Sequence, residues 1–480
     1  MTTRELEPKT IWNNFEDLNA VPRPSKKEDR IIVFAKEFGN KLGLDTYVDK
    51  VGNVIIKKPA TKGLENKKTV ILQSHLDMVC QKNSDTDFDF DTQGIQSYID
   101  GEWVKAKGTT LGADNGIGVA AIMSLLESDN IPHPAIEALF TIDEETGMTG
   151  AFNLEKGKLD GKILLNLDTE DDDEFSIGCA GGIDTNTSYK YASISSNSND
   201  IAINILVNGL FGGHSGMDIH LERGNANKIM NRIIAELVEF DVRIVSIDGG
   251  SLRNAIPRES KASVLVNSND AMIKINSIAK TIISEYTTSD KGLNIEAEIC
   301  DLPKSSMTIE DSNKVINAIS ATFNGVYKMS MSIKGLVETS SSLARVIVKD
   351  NLFTTQSLQR SSVDSSKIDV AHNIGAAYKL IGANVEHTGS YPGWAPNSNS
   401  EILEIMKPLY IKMYNENPRV QACHAGLECG ILGERYPGLD MISFGPTIRN
   451  PHSPDEKVNI ATVKKFWEFL QAVLIAVPNK

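Results

Sequence analysis

A short apolar run, Thr69-Val-Ile-Leu-Gln-Ser74, leads directly into His75-Leu-Asp77, and this stretch decides the fold assignment. The run has the length and β-branched content of a buried strand, and two side chains of metal-ligand type follow it at once. Similar runs alternate with amphipathic stretches over the first 180 residues, which predicts βα units and a mostly parallel sheet. The further predicted strands are 53–57, 138–142 and 163–167, and the clearest predicted helix is 115–128.

The sequence changes character near residue 183, and residues 189–200 are rich in Ser and Asn. Strands and helices then alternate to about residue 387 without acidic strand ends, and a helix at 401–416 and a strand at 441–444 return to the first pattern. We therefore predict an α/β fold with one discontinuous domain, 1–184 and 388–480, and an inserted α+β domain, 185–387. Residues 263–270 and 357–364 share a strand-then-turn pattern, which favours two similar halves within the insertion.

The composition excludes several classes of protein. A chain of 480 residues with 41% hydrophobic residues is globular and too long for one compact core. Its 49 basic and 63 acidic side chains give a net charge of −14, so neither nucleic acid nor an anionic membrane surface is an expected partner. No apolar run approaches the roughly 18 to 20 residues of a membrane-spanning helix. Five unpatterned cysteines and an amino-terminal stretch without a signal peptide predict a cytoplasmic protein with no disulfide framework.

Acidic residues and histidines follow four of the predicted strands. They are His75 and Asp77, then Glu144 and Glu145, then Asp168, and finally His452 after the late strand. Ligands bind outside the carboxyl ends of strands in open α/β sheets, so one site can collect all of these side chains. Asp114 lies in the turn Gly112-Ala-Asp-Asn-Gly-Ile-Gly118 before the predicted helix, where an aspartate is also an ordinary helix cap. Imidazole and carboxylate together suit Zn²⁺, Mn²⁺ or Co²⁺, and the lack of cysteine at the strand ends argues against a structural zinc site.

Two spacings give this set a chemical interpretation. Asp77 comes two residues after His75 and can accept the second ring N–H, as a carboxylate does for metal-bound histidines. The adjacent carboxylates Glu144 and Glu145 are costly after an apolar strand unless a cation holds one of them. One is therefore assigned as a metal ligand and the other as a general base. The acidic run 170–174 is interpreted as a solvated turn.

Several blocks of this sequence match a known group of enzymes. The blocks are Ser74-His-Leu-Asp-Met-Val79, Gly112-Ala-Asp-Asn-Gly-Ile-Gly118, Phe140-Thr-Ile-Asp-Glu-Glu-Thr-Gly-Met-Thr-Gly-Ala151 and Asn166-Leu-Asp168, with others at 212–216, 249–257, 424–430 and 445–454. With them the chain resembles the co-catalytic zinc peptidases of the aminoacylase, carboxypeptidase G and carnosinase clan, most closely its bacterial aminoacyl-histidine dipeptidases. The ordered blocks extend over most of the chain.

The resemblance implies a role for each residue of the set, with two divalent metal ions as cofactors, Zn²⁺ first and Mn²⁺ or Co²⁺ as alternatives. It implies that His75 and Asp168 hold one ion, that Glu145 and His452 hold the other, that Asp114 bridges them, that Glu144 is the general base and that Asp77 orients His75. It also implies a cis peptide bond between Asp114 and Asn115. The implied fold is a zinc-peptidase catalytic domain with an inserted lid.

The same resemblance implies which groups bind substrate. His214, in a glycine-rich loop of the insertion, matches a lid histidine that stabilises a tetrahedral oxyanion. Asn254 and Gly426 match positions near the free carboxylate of the substrate. Arg360, in the second half of the insertion, either supplies a positive charge for that carboxylate or is structural.

Two positions weaken the match at the carboxylate-binding groups. Asn267 stands where the carboxypeptidase branch is expected to have an arginine, which is why Arg360 is considered. Glu428 is the one charged residue close to Gly426 in the sequence, and a carboxylate there is expected to repel an anionic substrate.

The predicted function is hydrolysis of unblocked dipeptides by a metal-dependent dipeptidase, with a preference for C-terminal histidine as the resemblance implies. An N-acyl amino acid deacylase or carboxypeptidase on the same scaffold is the alternative, and a non-catalytic binding protein is a third. All five implied ligands are present together with Glu144 and Asp77, which argues against the third. A long insertion with two similar halves can imitate a dimer within one chain, so both monomer and homodimer stay open.

Overall fold

The computed structural model describes residues 2–397 and 399–480 and divides into two compact units. Apart from the two undescribed positions, unit 1 comprises Met1–Gly178, Pro396–Ala422 and Leu427–Lys480, and unit 2 comprises Cys179–Ala395 and Cys423–Gly426. Among the described residues, no helix combines the length and the apolar character that a membrane crossing requires.

The elements of the amino-terminal segment begin with a short 3₁₀ turn at Thr3–Glu5. They continue with α1 (Lys9–Asn19), α2 (Asp29–Lys41), β1 (Asp45–Val48), β2 (Val54–Lys58), β3 (Val70–His75), β4 (Ser97–Asp100), β5 (Trp103–Ala106), α3 (Ala113–Glu127), β6 (Ile136–Thr141), α4 (Thr149–Asn153), β7 (Ile163–Asn166) and β8 (Glu174–Cys179).

The middle segment contains more strands than the first and adds 3₁₀ turns at Ile219–Leu221 and Val238–Phe240. Its elements are β9 (Gly181–Lys190), β10 (Ser193–Ser195), β11 (Ile201–Asn208), β12 (Gly213–His214), α5 (Ala226–Ala235), β13 (Arg243–Gly249), β14 (Ala255–Ile256), β15 (Ser260–Val266), α6 (Asp270–Glu285), β16 (Asn294–Cys300), β17 (Ser305–Met307), α7 (Ile309–Ala321), β18 (Gly325–Met329), β19 (Val337–Lys349), β20 (Leu352–Ser361), α8 (Asp364–Lys379) and β21 (Asn384–Tyr391).

The carboxy-terminal segment returns to unit 1. Its elements are α9 (Glu401–Tyr414), β22 (Arg419–Cys423), α10 (Glu428–Arg435), β23 (Asp440–Ser443), β24 (Ile448–Arg449), β25 (Lys457–Asn459) and α11 (Ile460–Ala476).

An eight-stranded sheet organises unit 1, in the order β1-β2-β6-β3-β7-β23-β8-β22. The four central strands β6, β3, β7 and β23 are parallel, and the β1–β2, β2–β6 and β23–β8 pairs are antiparallel. Every residue of β3, β6 and β7 is buried, as expected for parallel strands covered on both faces. The predicted α/β class is confirmed, and the parallel part of the sheet is its centre.

Helix α3 lies against this sheet and against α1 and is buried on nearly all sides. Its own buried residues are mostly glycine, alanine and aliphatic residues, and they lie on all its faces. Its first turn lies next to the carboxyl ends of the parallel strands, since Asn115 Nδ2 donates to the carbonyl oxygen of Leu167 just after β7, and its cap residue Gly112 is left-handed, with φ of 69°. The α3 entry is thereby fixed beside the edge of the sheet where the ligand-type residues emerge.

Unit 2 contains a nine-stranded sheet over one apolar core. Two sets of elements follow the same order, β-α-β-β-α-β: β11, α5, β13, β15, α6 and β16 in one, and β9, α7, β19, β20, α8 and β21 in the other. Their spatial orders also agree, β16-β11-β15-β13 and β21-β9-β20-β19, and the sets join where β13 pairs antiparallel with β19. The similar stretches 263–270 and 357–364 fall at equivalent places, β15 to α6 and β20 to α8.

Candidate active site

Seven of the predicted site residues lie together in unit 1. His75 is the last residue of β3 and Asp77 follows it, Glu144 and Glu145 follow β6, and Asp168 follows β7. Asp114 is the second residue of α3, and His452 lies in the loop between β24 and β25. The parallel strands end at the same edge of the sheet, since His75 pairs with Thr141 and Gln73 with Asn166. The side chains that the carboxyl-end rule grouped in the sequence therefore lie at one edge of the sheet in the structure.

The Asp114 carboxylate stands between two groups of side chains. Its Oδ1 is 3.3 Å from His75 Nε2, and its Oδ2 is 3.2 Å from His452 Nε2. Asp168 Oδ1 is 3.5 Å from His75 Nε2, and Glu145 Oε2 is 3.0 Å from His452 Nε2. His75, Asp114 and Asp168 thus form one potential three-ligand group, and Asp114, Glu145 and His452 form another. We call these five residues the carboxylate–histidine cluster.

The donor atoms of this cluster fit divalent cations. Asp168 Oδ1 and Glu145 Oε1 are buried and have no hydrogen-bond partner among the described residues. A buried carboxylate oxygen without a donor is costly unless a cation satisfies it. The set contains only imidazole nitrogens and carboxylate oxygens, which suits zinc, manganese or cobalt at a catalytic site.

The start of α3 has the local geometry that the resemblance implied. The peptide bond between Asp114 and Asn115 is cis. Asp114 has non-helical angles, with φ of −83° and ψ of 107°, although it lies within the helix bounds. Asn115 Nδ2 donates to the carbonyl oxygen of Leu167 at 2.6 Å, which ties the α3 entry to the end of β7.

Asp77 connects His75 to the loop that carries the two glutamates. Its carboxylate accepts the backbone N–H groups of Glu144 at 3.0 Å and Glu145 at 3.2 Å, and the Ser25 hydroxyl at 2.7 Å. His75 Nδ1 lies 3.1 Å from the Asp77 carbonyl oxygen and 3.4 Å from the Asp77 carboxylate. Burial alone would raise the pKa of Asp77, but hydrogen bonds from His75, Ser25 and the Glu144 N–H lower it. The hydrogen bonds of Asp77 therefore connect the end of β3 to the loop that carries the two glutamates.

Two other acids of the site, Glu144 and the cluster residue Asp168, have raised pKa values. Burial, together with neighbouring Asp168 and Glu145, raises the pKa of Glu144 well above its ordinary value. Burial also raises the pKa of Asp168 to about 6, with Asp114 and Glu145 adding to the effect and His75 opposing it. A group with a raised pKa beside potential metal ligands is suited to accept and return a proton near neutral pH.

The acidic run 170–174 is not the solvated turn that we expected. Its residues are half-buried, and distant cations hold them: Arg419 pairs with Asp171 at 3.0 Å and Asp173 at 2.7 Å, and Lys465 pairs with Asp172 at 2.6 Å. The cations lie more than 240 residues away in the sequence, so no local pattern signals them. Burial, with Asp114 and Asp168 nearby, raises the pKa of Glu170 to about 8, which adds a carboxyl beside the cluster that sequence reasoning missed.

Glu428 also differs from the expectation that it repels an anion beside Gly426. Its side chain is buried, and it accepts hydrogen bonds from Gln73 Nε2 at 2.6 Å and Thr141 Oγ1 at 2.7 Å. Burial raises its pKa to about 8. Gln73 and Thr141 lie on β3 and β6 just before the loops that carry the predicted ligands. Glu428 therefore joins these two strands through buried hydrogen bonds within unit 1.

In unit 2, His214 and Arg360 present hydrogen-bond donors to the same place. His214 Nδ1 accepts the backbone N–H groups of Gly216 at 3.2 Å and Met217 at 2.9 Å, so the ring proton must lie on Nε2. His214 Nε2 is 3.4 Å from Arg360 Nη2. Both nitrogens are hydrogen-bond donors, so neither accepts a hydrogen bond from the other. Burial and the Arg360 charge lower the pKa of His214 to about 4, so its ring is neutral near pH 7.

Arg360 is a buried cation without a carboxylate partner in the described part of the chain. It is 5% exposed, its Nη1 donates to the Tyr391 hydroxyl at 2.9 Å, and its Nε has no partner. The carboxylate of Asp184 pairs instead with Arg253 at 2.9 Å. A buried guanidinium with free N–H groups fits a planar anion such as a carboxylate.

The other predicted substrate residues lie on segments near this pair. Asn254 precedes β14, in which Ala255 pairs with His214 of β12, and its side chain is exposed. Gly426 follows His424, whose Nε2 is 2.7 Å from the hydroxyl of Ser340, the β19 residue that pairs with Arg360. Burial and the Arg360 charge lower the pKa of His424 to about 3. We call the group His214, Arg360, Tyr391 and His424 the His214–Arg360 cluster; sequence reasoning missed its last two members.

Comparison with known proteins gives consistent matches over the whole chain. The profile of Peptidase family M20/M25/M40 matches residues 71–476. The chain is 40% identical over 480 residues to the cytosol non-specific dipeptidase of Escherichia coli strain K12, with 99% of each chain covered. It superposes on the crystal structure of aminoacylhistidine dipeptidase from Vibrio alginolyticus with a TM-score of 0.94, at 44% identity over 100% of this chain and 99% of that one. Aminopeptidase PepT from Bacillus cereus ATCC 10987 shares the fold, with a TM-score of 0.58 and 18% identity over 98% of this chain and 99% of that one.

Proposed function

The chain belongs to peptidase family M20/M25/M40, and from that premise we propose that it hydrolyses unblocked dipeptides, with a preference for C-terminal histidine. The two relatives that are at least 40% identical to it over its full length are dipeptidases, so the chain is a dipeptidase and a peptide-bond hydrolase. The family resemblance inferred from the sequence blocks is confirmed. The preference for histidine is supported by the aminoacylhistidine dipeptidase relative.

Membership of this metallopeptidase family implies the use of divalent metal, and we propose two ions, with Zn²⁺ first and Mn²⁺ or Co²⁺ as alternatives. The observation that carries the proposal is the Asp114 carboxylate, whose two oxygens face His75 on one side and His452 on the other. His75 and Asp168 would hold one ion, and Glu145 and His452 the other, with Asp114 shared. Two such ions, when bound, polarise a scissile carbonyl and lower the pKa of a water molecule.

Glu144 is proposed as the general base and then the general acid. One oxygen of its carboxylate accepts a proton from the attacking water, and the same group returns that proton to the leaving amine nitrogen. Its raised pKa makes its carboxylate a stronger proton acceptor than an ordinary glutamate, which favours the first of these two steps. Asp77 holds the Glu144 N–H and thereby keeps the base in place.

The His214–Arg360 cluster is proposed to bind the anionic groups of the substrate. Arg360 offers free N–H groups to the C-terminal carboxylate, and neutral His214 offers its Nε2–H to a developing oxyanion. Asn254 and Gly426 are proposed as further contacts to the carboxylate. A dipeptide requirement follows, because a longer peptide has an amide where the carboxylate of a dipeptide would be.

We also propose a cytoplasmic location and a lid role for unit 2. The cytosol non-specific dipeptidase of Escherichia coli supports the location. The equal β-α-β-β-α-β orders within unit 2 support two similar halves, with domain limits near 1–184, 185–387 and 388–480. Such halves allow a monomer to replace the paired lids of a dimer, and a homodimer is the other possibility.

The proposal is tested with a substrate panel on metal-stripped protein and after addition of Zn²⁺, Mn²⁺ or Co²⁺. The panel contains β-alanyl-histidine, alanyl and glycyl dipeptides, a tripeptide and N-acetyl amino acids. Metal-restored cleavage of dipeptides, fastest with C-terminal histidine, supports the proposal. Cleavage of acetyl amino acids in preference to dipeptides would favour the deacylase alternative, and no turnover of any substrate would favour a binding protein.

A further inference from the structure

One buried carboxylate outside the carboxylate–histidine cluster holds the turn that carries Asp114. Glu456, which is 2% exposed, accepts four consecutive backbone N–H groups. Its Oε2 accepts from Leu111 at 2.7 Å and Gly112 at 3.0 Å, and its Oε1 accepts from Ala113 at 2.8 Å and Asp114 at 3.2 Å. Both oxygens are therefore fully occupied by the backbone of this turn.

The backbone geometry explains why a carboxylate is needed there. The N–H groups at the start of a helix have no acceptor within the helix. The left-handed conformation of Gly112 brings the N–H groups of 111–114 to one side, where they form a concave anion site. In this site the Glu456 side chain takes the place that a bound anion has in other proteins.

Arg23 holds the opposite side of the same turn. Its buried guanidinium donates to the Gly112 carbonyl at 2.6 Å and to the carbonyls of Leu76 and Asp77 at 3.1 Å each. The turn is thus fixed to the end of β3, next to His75. Glu456 in turn lies four residues after His452 in the loop before β25.

We propose that Glu456 is a positioning residue that fixes the Asp114 carboxylate between His75 and His452. It acts through the backbone of the turn, because its own oxygens are used by the four N–H groups. The inference rests on the proposed metal centre and adds to it a residue that supports Asp114 through the backbone. A shift of the turn changes both ligand groups together, since Asp114 belongs to both.

Glu137 offers a matched control within unit 1. It is also buried, and its carboxylate accepts the N–H groups of Asp160 at 2.9 Å and Gly161 at 2.9 Å and pairs with Lys57 at 2.7 Å. It lies near the beginning of β6, whereas the ligand-bearing loop follows the end of that strand. Glu137→Gln thus removes a comparable buried carboxylate at the other end of the strand.

The test compares Glu456→Gln, Glu456→Asp and Glu137→Gln in the full chain. Three quantities are measured: Co²⁺ affinity by competition with a chelator, the visible absorption of the Co²⁺-loaded protein, and kcat and KM for an alanyl dipeptide. Glu456→Gln is expected to lower Co²⁺ affinity and kcat by about 10- to 100-fold, to alter the Co²⁺ spectrum and to leave KM within about threefold. Glu456→Asp keeps the charge with a shorter reach and is expected to fall between Glu456→Gln and the wild type.

Circular dichroism reports whether each variant is folded, and Glu456→Asp carries the test if Glu456→Gln does not fold. Wild-type Co²⁺ affinity and spectrum in the folded Glu456 variant would overturn the proposal, and so would an equal loss in Glu137→Gln. The proposed metal centre fails separately, because in that case the wild-type protein itself would bind no Co²⁺.

Discussion

The carboxylate–histidine cluster of unit 1 and the His214–Arg360 cluster of unit 2 differ in the kind of charge that each leaves unpaired. The first leaves negative charge unpaired and the second leaves positive charge unpaired. The first brings three carboxylates to two imidazoles and leaves buried carboxylate oxygens without a donor. The second brings a neutral imidazole N–H beside a buried guanidinium and leaves N–H groups without an acceptor. The unpaired acceptors of the first cluster suit a cation, and the unpaired donors of the second suit an anion.

The largest effect is expected from Glu144→Ala, which removes the proposed base and keeps the five proposed ligands. The turnover number is expected to fall by about 10²- to 10⁴-fold, because alanine has no carboxylate to accept the proton of the attacking water. Metal content, measured by atomic emission, should stay at the wild-type level. Glu174→Gln serves as the control, since Glu174 is half-buried and its carboxylate contacts Gln421 and Arg419. Near-normal turnover of Glu144→Ala would remove Glu144 from the mechanism.

His214→Ala tests the neutral donor of unit 2. Loss of one donor to an oxyanion costs about 10²- to 10³-fold in kcat, with a smaller change in KM. His220→Ala is the control, because His220 is an exposed histidine in the same segment. Steady-state kinetics on one dipeptide should show the loss of kcat in His214→Ala and not in His220→Ala. A variant that raises KM and leaves kcat intact would assign His214 to ground-state binding instead.

Arg360→Gln is expected to act mainly on KM, because Arg360 is assigned to the carboxylate of the substrate. A charge-assisted hydrogen bond contributes about 1.5 to 3 kcal/mol, so KM should rise by about 10- to 150-fold. The sharper measurement compares a dipeptide with its C-terminal amide. The wild type should prefer the free acid strongly, and the variant should lose that preference. The control variant Arg253→Gln breaks the ion pair with Asp184 and should keep the wild-type preference for the free acid.

The smallest effect concerns the pH dependence of stability. The pKa of His424 is about 3 in the folded protein and near 6.5 when unfolded, so the unfolded chain binds more protons between these values. His424 therefore supports stability fully above pH 6.5 and costs up to about 1.4 kcal/mol per pH unit as the pH falls below it. Urea titrations at several pH values between 7 and 4.5 give the free energy of unfolding at each pH. This free energy should fall less steeply with decreasing pH in His424→Gln than in the wild type. His372→Gln, at an exposed position, should keep the wild-type slope.

The sequence predicted the elements whose signals are local. The strands at 163–167 and 441–444 were found within one residue at each end, and the rule on carboxyl ends brought His75, Glu144 and Asp168 to one edge. What it missed are side chains joined by contacts over more than 200 residues, such as Glu428 with Gln73 and Asp172 with Lys465. A buried acid and an exposed acid look alike in a sequence, because burial depends on what packs over them. The solvated interpretation of 170–174 was wrong for that reason.

The most direct test of the central claim is the number of divalent ions that restore activity. Metal-stripped protein is titrated with Zn²⁺ while bound metal and hydrolysis of alanyl-histidine are followed in the same samples, with Asp114→Asn beside the wild type. The account predicts two ions per wild-type chain and activity that returns as they bind. It also predicts weakened binding of both ions in Asp114→Asn, since one carboxylate serves both ligand groups. Full activity of the stripped protein, or unchanged binding of both ions in Asp114→Asn, would contradict it.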